Sequence, residues 1–188
     1  MSRAYDVAVA GATGLVGNAM IRILEERNFP VGTLYPLASS RSAGSSVEFR
    51  GETVRVEVLD DFNFSKTPIA FFSAGSSVSA EHVPRAVEEG AIVIDNTSYF
   101  RYDDGIPLIV PECNAERISE YSNRGIIANP NCSTIQMVVA LKPIHNVAGI
   151  ERINIATYQA TSGAGRSEME SLTENTEASL AGAEVVVN

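Results

Sequence analysis

The sequence predicts an α/β fold: a doubly wound parallel sheet that passes into the start of an α+β region. Three observations predict it. Short apolar runs of strand character alternate with helical stretches as far as Cys132, as they do when helices cover both faces of a parallel sheet. A glycine-rich turn, Gly11-Ala12-Thr13-Gly14-Leu15-Val16-Gly17, joins the first apolar run to the first helical stretch. Beyond Cys132 the pattern changes, and Ile153, Ile155 and Thr157 alternate with polar neighbours in the period of a half-exposed strand.

Taken in order, residues 5–10 form a buried apolar run ending at a glycine. Leu15, Val16, Ala19, Met20, Ile23 and Leu24 recur at helical spacing, and Pro30 stops that helix. Residues 33–38 read as a second strand. Residues 47–49 and 53–58 read as a hairpin about Arg50-Gly51-Glu52. A short strand at 69–72 is followed by a helix that Ser79 would cap, running to Glu89 and ended by Gly90. Strands follow at 91–94, closed by Asp95, and at 126–128. A helix from about Ser133 to Leu141 is then expected to stop at Pro143. A strand over 150–158 and a helix over 166–180 complete the series. These patterns divide the chain into residues 1–132, a Rossmann-like nucleotide-binding domain, and residues 133–188, the incomplete beginning of a second domain too small to hold a sufficient core by itself.

Composition narrows the function. Fourteen basic against twenty-three acidic side chains give a net charge of −9 in 188 residues, a balance that disfavours nucleic acid or an anionic membrane as partner. No apolar run approaches the roughly 20 residues of a membrane span. The opening Met1-Ser2-Arg3-Ala4-Tyr5-Asp6 lacks a secretory core, and the two cysteines, Cys113 and Cys132, have no disulfide framework or zinc spacing. A reduced cytoplasmic protein without a metal is expected.

The glycine turn is placed to bind a dinucleotide. One glycine permits positive φ, a second lets the backbone approach a pyrophosphate, and a third lets the helix pack on the strand. The pyrophosphate would meet free N–H groups of Gly11, Thr13, Gly14, Leu15, Val16 and Gly17 near the helix start. The second strand ends in Ser39-Ser40-Arg41-Ser42, with hydroxyls and an arginine where an acid would bond an NAD ribose. NADP is therefore expected, with Ser73 and Gly75 forming a third wall of the same crevice.

Asn129-Pro130-Asn131-Cys132-Ser133-Thr134 places a thiol where a helix begins. The helix dipole and several unpaired N–H groups there are expected to favour a thiolate and an oxyanion. Such a thiolate can carry an acyl group as a thioester. Cys113 lacks this setting and is expected to be structural, and His82 and His145 are expected to be structural or solvated.

At these motifs the chain resembles the aspartate-semialdehyde dehydrogenase family. The resemblance runs through GATGLVG, ASSRSAG, SYFRYDDGIPLIVPECN, NPNCSTIQ and TYQATSGAG; the loop departs from the family pattern at Ser45, where a lysine is usual. It implies reduction of 4-phospho-L-aspartate by NADPH to aspartate 4-semialdehyde, with release of phosphate, at the branch toward lysine, methionine, threonine and isoleucine. By similarity Cys132 is the nucleophile, Gln159 positions the substrate, Arg101 and Asn131 hold the phosphate, and Ser162 and Gly163 join the cofactor site. The family also implies a homodimer or homotetramer, and a longer chain whose later part supplies an acid/base histidine; the 188 residues alone are expected to turn over little or nothing. Two other readings stay open: a related acyl-phosphate or acyl-CoA reductase, and a non-catalytic NADP-binding remnant.

Overall fold

The structure, a computed structural model, describes residues 3–42, 44–183 and 185. Strand β1 (Tyr5–Ala10) leads through the glycine turn into helix α1 (Leu15–Glu26), and β2 (Val31–Ala38) runs parallel beside β1. A small antiparallel hairpin, β3 (Ser46–Phe49) with β4 (Glu52–Arg55), precedes the two-residue strand β5 (Glu57–Val58). Then come β6 (Ile69–Phe72), α2 (Ser76–Glu88), β7 (Ile92–Asp95), the short helix α3 (Pro111–Asn114) and β8 (Ile126–Ala128). Helix α4 (Cys132–Ala148) follows, and α5 (Arg166–Leu180) lies near the C-terminus. The main sheet has the order β5-β2-β1-β6-β7-β8, all pairs parallel. This is the doubly wound order in which two βαβ halves meet at the first strand of each, here β1 against β6.

The expected parallel sheet forms because its central strands are apolar on both sides. Val7 and Val9 of β1 pack with Ile21 and Leu24 of α1 on one face. Ala8 and Ala10 pack with Phe64, Phe72, Val83 and Ala86 on the other, against α2. All four β1 residues are buried, so a residue shift of register would gain neither face.

Several elements differ from their sequence patterns. The run 53–58 is two strands: the chain leaves the hairpin at Arg55, Val56 sinks into the core, and Glu57 and Val58 join the sheet edge opposite Leu37 and Ala38. Helix α2 starts at Ser76, three residues before Ser79, and Ser79 is no cap. It is fully buried and its hydroxyl donates to Asp95 at 2.9 Å, a tertiary contact that local sequence does not specify. Helix α4 passes through Pro143 and ends at Gly149, so His145 lies within it and accepts a bond from Ile150 N–H at 3.0 Å. Pro143 is exposed and removes a single rung of the ladder, which interrupts the bonding without ending the helix. No strand forms over 150–158: the segment has the alternation, but among the described residues no neighbouring strand offers it a ladder. Helix α5 has the extent the sequence indicates.

Compactness divides the chain into Met1–Ile153 and Asn154–Asn188. The second unit carries the short turn Thr161–Ala164 and α5. Among the described residues no helix is long and apolar enough to cross a membrane.

Candidate active site

In an open parallel sheet ligands bind beyond the carboxyl ends of the strands, where the strand order reverses. Here that crevice lies between β1 and β6. Gly11 turns the chain with φ +85°, and its N–H and that of Ala12 both donate to Leu37 O, tying the turn to β2. A Cβ on Gly11 would lie 3.0 Å from Ala74 N and Ser73 C, so this turn and the loop after β6 are in contact. Ser73 reinforces that contact by donating from its N–H and its hydroxyl to Ala10 O. At Gly17 a Cβ would fall 2.1 Å from Gly11 O; only a glycine lets α1 begin this close to the turn.

Gly14 is the N-cap of α1, without a side-chain cap and with no acid in the first turn. The opening N–H groups of the helix are thus left for an anion. Leu15 and Val16 stand 44% and 42% exposed at the same corner, apolar surface of the kind a bound ring would cover. Ser39, Ser40 and Arg41 are exposed and Ser42 half-buried beyond the end of β2, next to β1. The glycine turn, the end of β2 and the loop after β6 lie together at the carboxyl end of the sheet. The uncapped N-terminus and the cradle at Gly11 and Gly17 fit a dinucleotide pyrophosphate. Among the described residues no group of three or more His, Cys, Asp or Glu is arranged for a metal.

A second group forms beyond β7 and β8. Cys132 is the first residue of α4 and is exposed; Cys113 is half-buried in α3. Asn131 caps α4, its Oδ1 accepting from Ser133 N–H at 3.0 Å and Thr134 N–H at 3.4 Å. The expectation of several unpaired N–H groups beside the thiol is corrected to that extent: an asparagine at the N-cap position takes up two of them. Arg101, half-buried, donates from Nε to Asn129 O at 2.9 Å and from Nη2 to Asn96 O at 3.1 Å. Only Pro130 and Asn131 lie between Asn129 and Cys132, whose α-carbons are therefore at most about 11 Å apart. The Arg101 guanidinium is thus anchored on the segment that leads directly into Cys132. Arginine has five N–H donors in a fork suited to an oxyanion, and two are used here. Ser76, the first residue of α2, and Ser98 share a hydrogen bond at 2.9 Å, which ties the loop after β6 to the loop after β7.

Gln159, Ser162 and Gly163 lie in the second unit: Gln159 on an exposed extended segment, accepting from Thr157 Oγ1 at 3.3 Å, the other two in the Thr161–Ala164 turn. Sequence reasoning missed Asn96, Asn129 and the buried Asp95. The last accepts from Ser79 Oγ and from both N–H and Oγ1 of Thr97. The signal available was positional, since Asp95-Asn96-Thr97 follows a strand just as Ser73 does, at the same end of the sheet.

Comparison with known proteins gives one consistent result. Residues 6–121 match the profile described as "Semialdehyde dehydrogenase, NAD binding domain", and residues 141–188 match "Semialdehyde dehydrogenase, dimerisation domain". The chain is 59% identical over 174 residues to an aspartate-semialdehyde dehydrogenase of Shewanella violacea, covering 93% of this chain and 51% of that protein. A crystal structure of aspartate semialdehyde dehydrogenase II from Vibrio cholerae, complexed with ASA, superposes with TM-score 0.94 at 53% identity, covering 100% of this chain and 56% of that one. The Candida albicans enzyme, solved with NADP, superposes with TM-score 0.65 at 26% identity over 79% of this chain and 48% of its own. The chain spans about half the length of the curated relatives it matches.

Proposed function

This chain belongs to the semialdehyde dehydrogenase family, and on that premise we propose that it carries the cofactor groove and the nucleophile of an NADP-dependent, phosphorylating aspartate-semialdehyde dehydrogenase. The observation that supports this most directly is the exposed Cys132 opening α4, one short turn from a backbone carbonyl that holds Arg101. Residues 1–132 would hold the dinucleotide, and residues 133–188 begin the catalytic and dimerisation region. The cofactor would rest its pyrophosphate on the amides of Gly11, Thr13, Gly14, Leu15, Val16 and Gly17. Its 2′-phosphate would lie near Ser39, Ser40, Arg41 and Ser42, and Ser73 and Gly75 would complete the wall; the family resemblance also assigns Ser162 and Gly163 to cofactor binding.

The chemistry of the chain's own residues is simple. The Cys132 sulfur attacks the carbonyl carbon of 4-phospho-L-aspartate; the C–S bond forms as the C–O bond to phosphate breaks, and inorganic phosphate leaves with the electron pair. The remaining donors of Arg101 and the Asn131 carboxamide hold the phosphate through this step, and Gln159 aligns the acyl chain. NADPH, held by the glycine turn and the loop at 39–42, would supply the hydride needed to reduce the Cys132 thioester to the aldehyde and free the thiol. The profile match over 141–188 supports a homodimer or homotetramer, and a reduced cytoplasmic setting keeps the thiol competent.

The test is acylation by a small acyl phosphate followed by peptide mass analysis. A thioester on Cys132, phosphate released in equal amount and Cys113 unmodified are expected. An unmodified Cys132, or equal labelling of both cysteines, refutes the assignment.

A further inference from the structure

We propose that Asn96 is a positioning residue that locks the Arg101 guanidinium and the Cys132 turn into one rigid unit. The inference deepens the proposed function and rests on its assignment of Arg101 to the phosphate. It starts from a closed circuit of hydrogen bonds between two loops that are far apart in sequence. Asn129 N–H donates to Asp95 O at 2.8 Å, and the Asn129 carboxamide donates to Asn96 Oδ1 at 2.6 Å. Arg101 then donates to the main-chain oxygens of both partners, Nε to Asn129 and Nη2 to Asn96. Asn96 N–H is itself fixed on Phe72 O at 2.9 Å, which extends the β6–β7 ladder into the loop.

Within this circuit Asn96 is the member that reaches every other part. Its amide anchors to the sheet, its carbonyl orients the guanidinium, and its side chain holds the residue from which the cysteine turn departs. Behind it, the fully buried Asp95 is satisfied by Ser79 and Thr97, so the base of the loop is also fixed. Two N–H groups of Arg101 are spent on protein carbonyls, leaving three donors for a ligand. A guanidinium and a turn held in place before the anion arrives need no ordering when it binds. Without the Asn96 side chain, Asn129 and the turn behind it lose that tether while every group touching substrate is retained.

The experiment uses the 188-residue chain labelled with nitrogen isotope, with the Arg101 Nε–H resonance assigned through Arg101→Lys. In the wild type this proton should exchange slowly with solvent. In Asn96→Ala and Asn129→Ala exchange should quicken by about tenfold or more. Asn96→Asp keeps an acceptor for the Asn129 carboxamide and should keep the slow exchange. The second readout is the ratio of Cys132 alkylation rates with anionic iodoacetate and neutral iodoacetamide. It should fall about fivefold in Asn96→Ala, the worth of one hydrogen bond. Adding Asn96→Ala to Asn129→Ala should cost nothing more, because both remove the same contact.

Unchanged exchange and an unchanged rate ratio in Asn96→Ala overturn the proposal, as do losses that multiply in the double variant. If Asn96→Ala fails to fold, Asn129→Ala and Asn96→Asp decide the matter by the same exchange measurement. Slow exchange that depends on Asn96, together with no wild-type preference for iodoacetate, would uphold the positioning role and refute the anion-holding role of Arg101.

Discussion

Replacing Gly17 by alanine tests the geometry of the glycine turn most severely. The added methyl carbon would lie 2.1 Å from Gly11 O, 2.7 Å from Gly11 C and 2.9 Å from Ala12 Cα, all backbone atoms that no rotamer change can move. A carbon and a carbonyl oxygen ordinarily approach to about 3.3 Å, so helix and turn must separate by roughly 1 Å. Overpacking of this kind costs about 3 kcal/mol. In a chain of this size that corresponds to a fall in melting temperature of roughly 6–12 °C. The same displacement carries the amides of Leu15 and Val16 away from where a pyrophosphate would sit. Losing one charge-assisted hydrogen bond, about 2 kcal/mol, weakens NADP binding some thirtyfold. Gly14→Ala serves as the internal comparison: its methyl would meet Gly11 O at 3.2 Å. A few tenths of an ångström relieve that contact, and a cost of about 1 kcal/mol or less is expected. Thermal unfolding by circular dichroism and NADP titration by calorimetry measure both effects. A Gly17→Ala variant with wild-type melting and wild-type affinity, or one no worse than Gly14→Ala, would refute the close-approach argument.

Three further outcomes are expected. Ser79→Ala removes a 2.9 Å donor from the buried Asp95 carboxylate and should destabilise the protein by about 1–3 kcal/mol in urea unfolding; a loss below experimental error would show that Thr97 alone suffices. Arg41→Ala should weaken NADP about tenfold and leave NAD nearly unaffected, since the guanidinium would meet only the 2′-phosphate; equal losses for both would place Arg41 elsewhere. Pro143→Ala restores an N–H inside α4 at an exposed position and should raise stability by about 1–3 kcal/mol with more helical circular dichroism; a destabilised variant would mean that the proline shapes a needed bend.

Much of the fold was legible because its cause is local. Apolar runs such as residues 7–10 and 69–72 announce strands buried on both faces, and the helical spacing from Leu15 to Leu24 announces the covering layer. The glycine turn could be read as an anion cradle because glycine spacing, a preceding strand and a following helix all lie within one short stretch. For the same reason Cys132 could be placed at a helix start, although that Asn131 caps this helix emerged only from the structure.

What only the tertiary structure decided is long-range partnership. Ser79 looks like a helix cap to any local rule, yet it faces inward because Asp95, sixteen residues later, presents a buried carboxyl group that needs a hydrogen-bond partner. Residues 150–158 carry the period of a strand, but a strand exists only where a neighbour completes its ladder. The circuit joining Asn96, Arg101 and Asn129 spans thirty-three positions, and its members become neighbours only because β7 and β8 pair side by side. Periodicity and turn chemistry act over a few residues and so are written in the order of amino acids. Burial, pairing and charge compensation depend on which segments the chain brings together, and those are settled when the sheet closes its register.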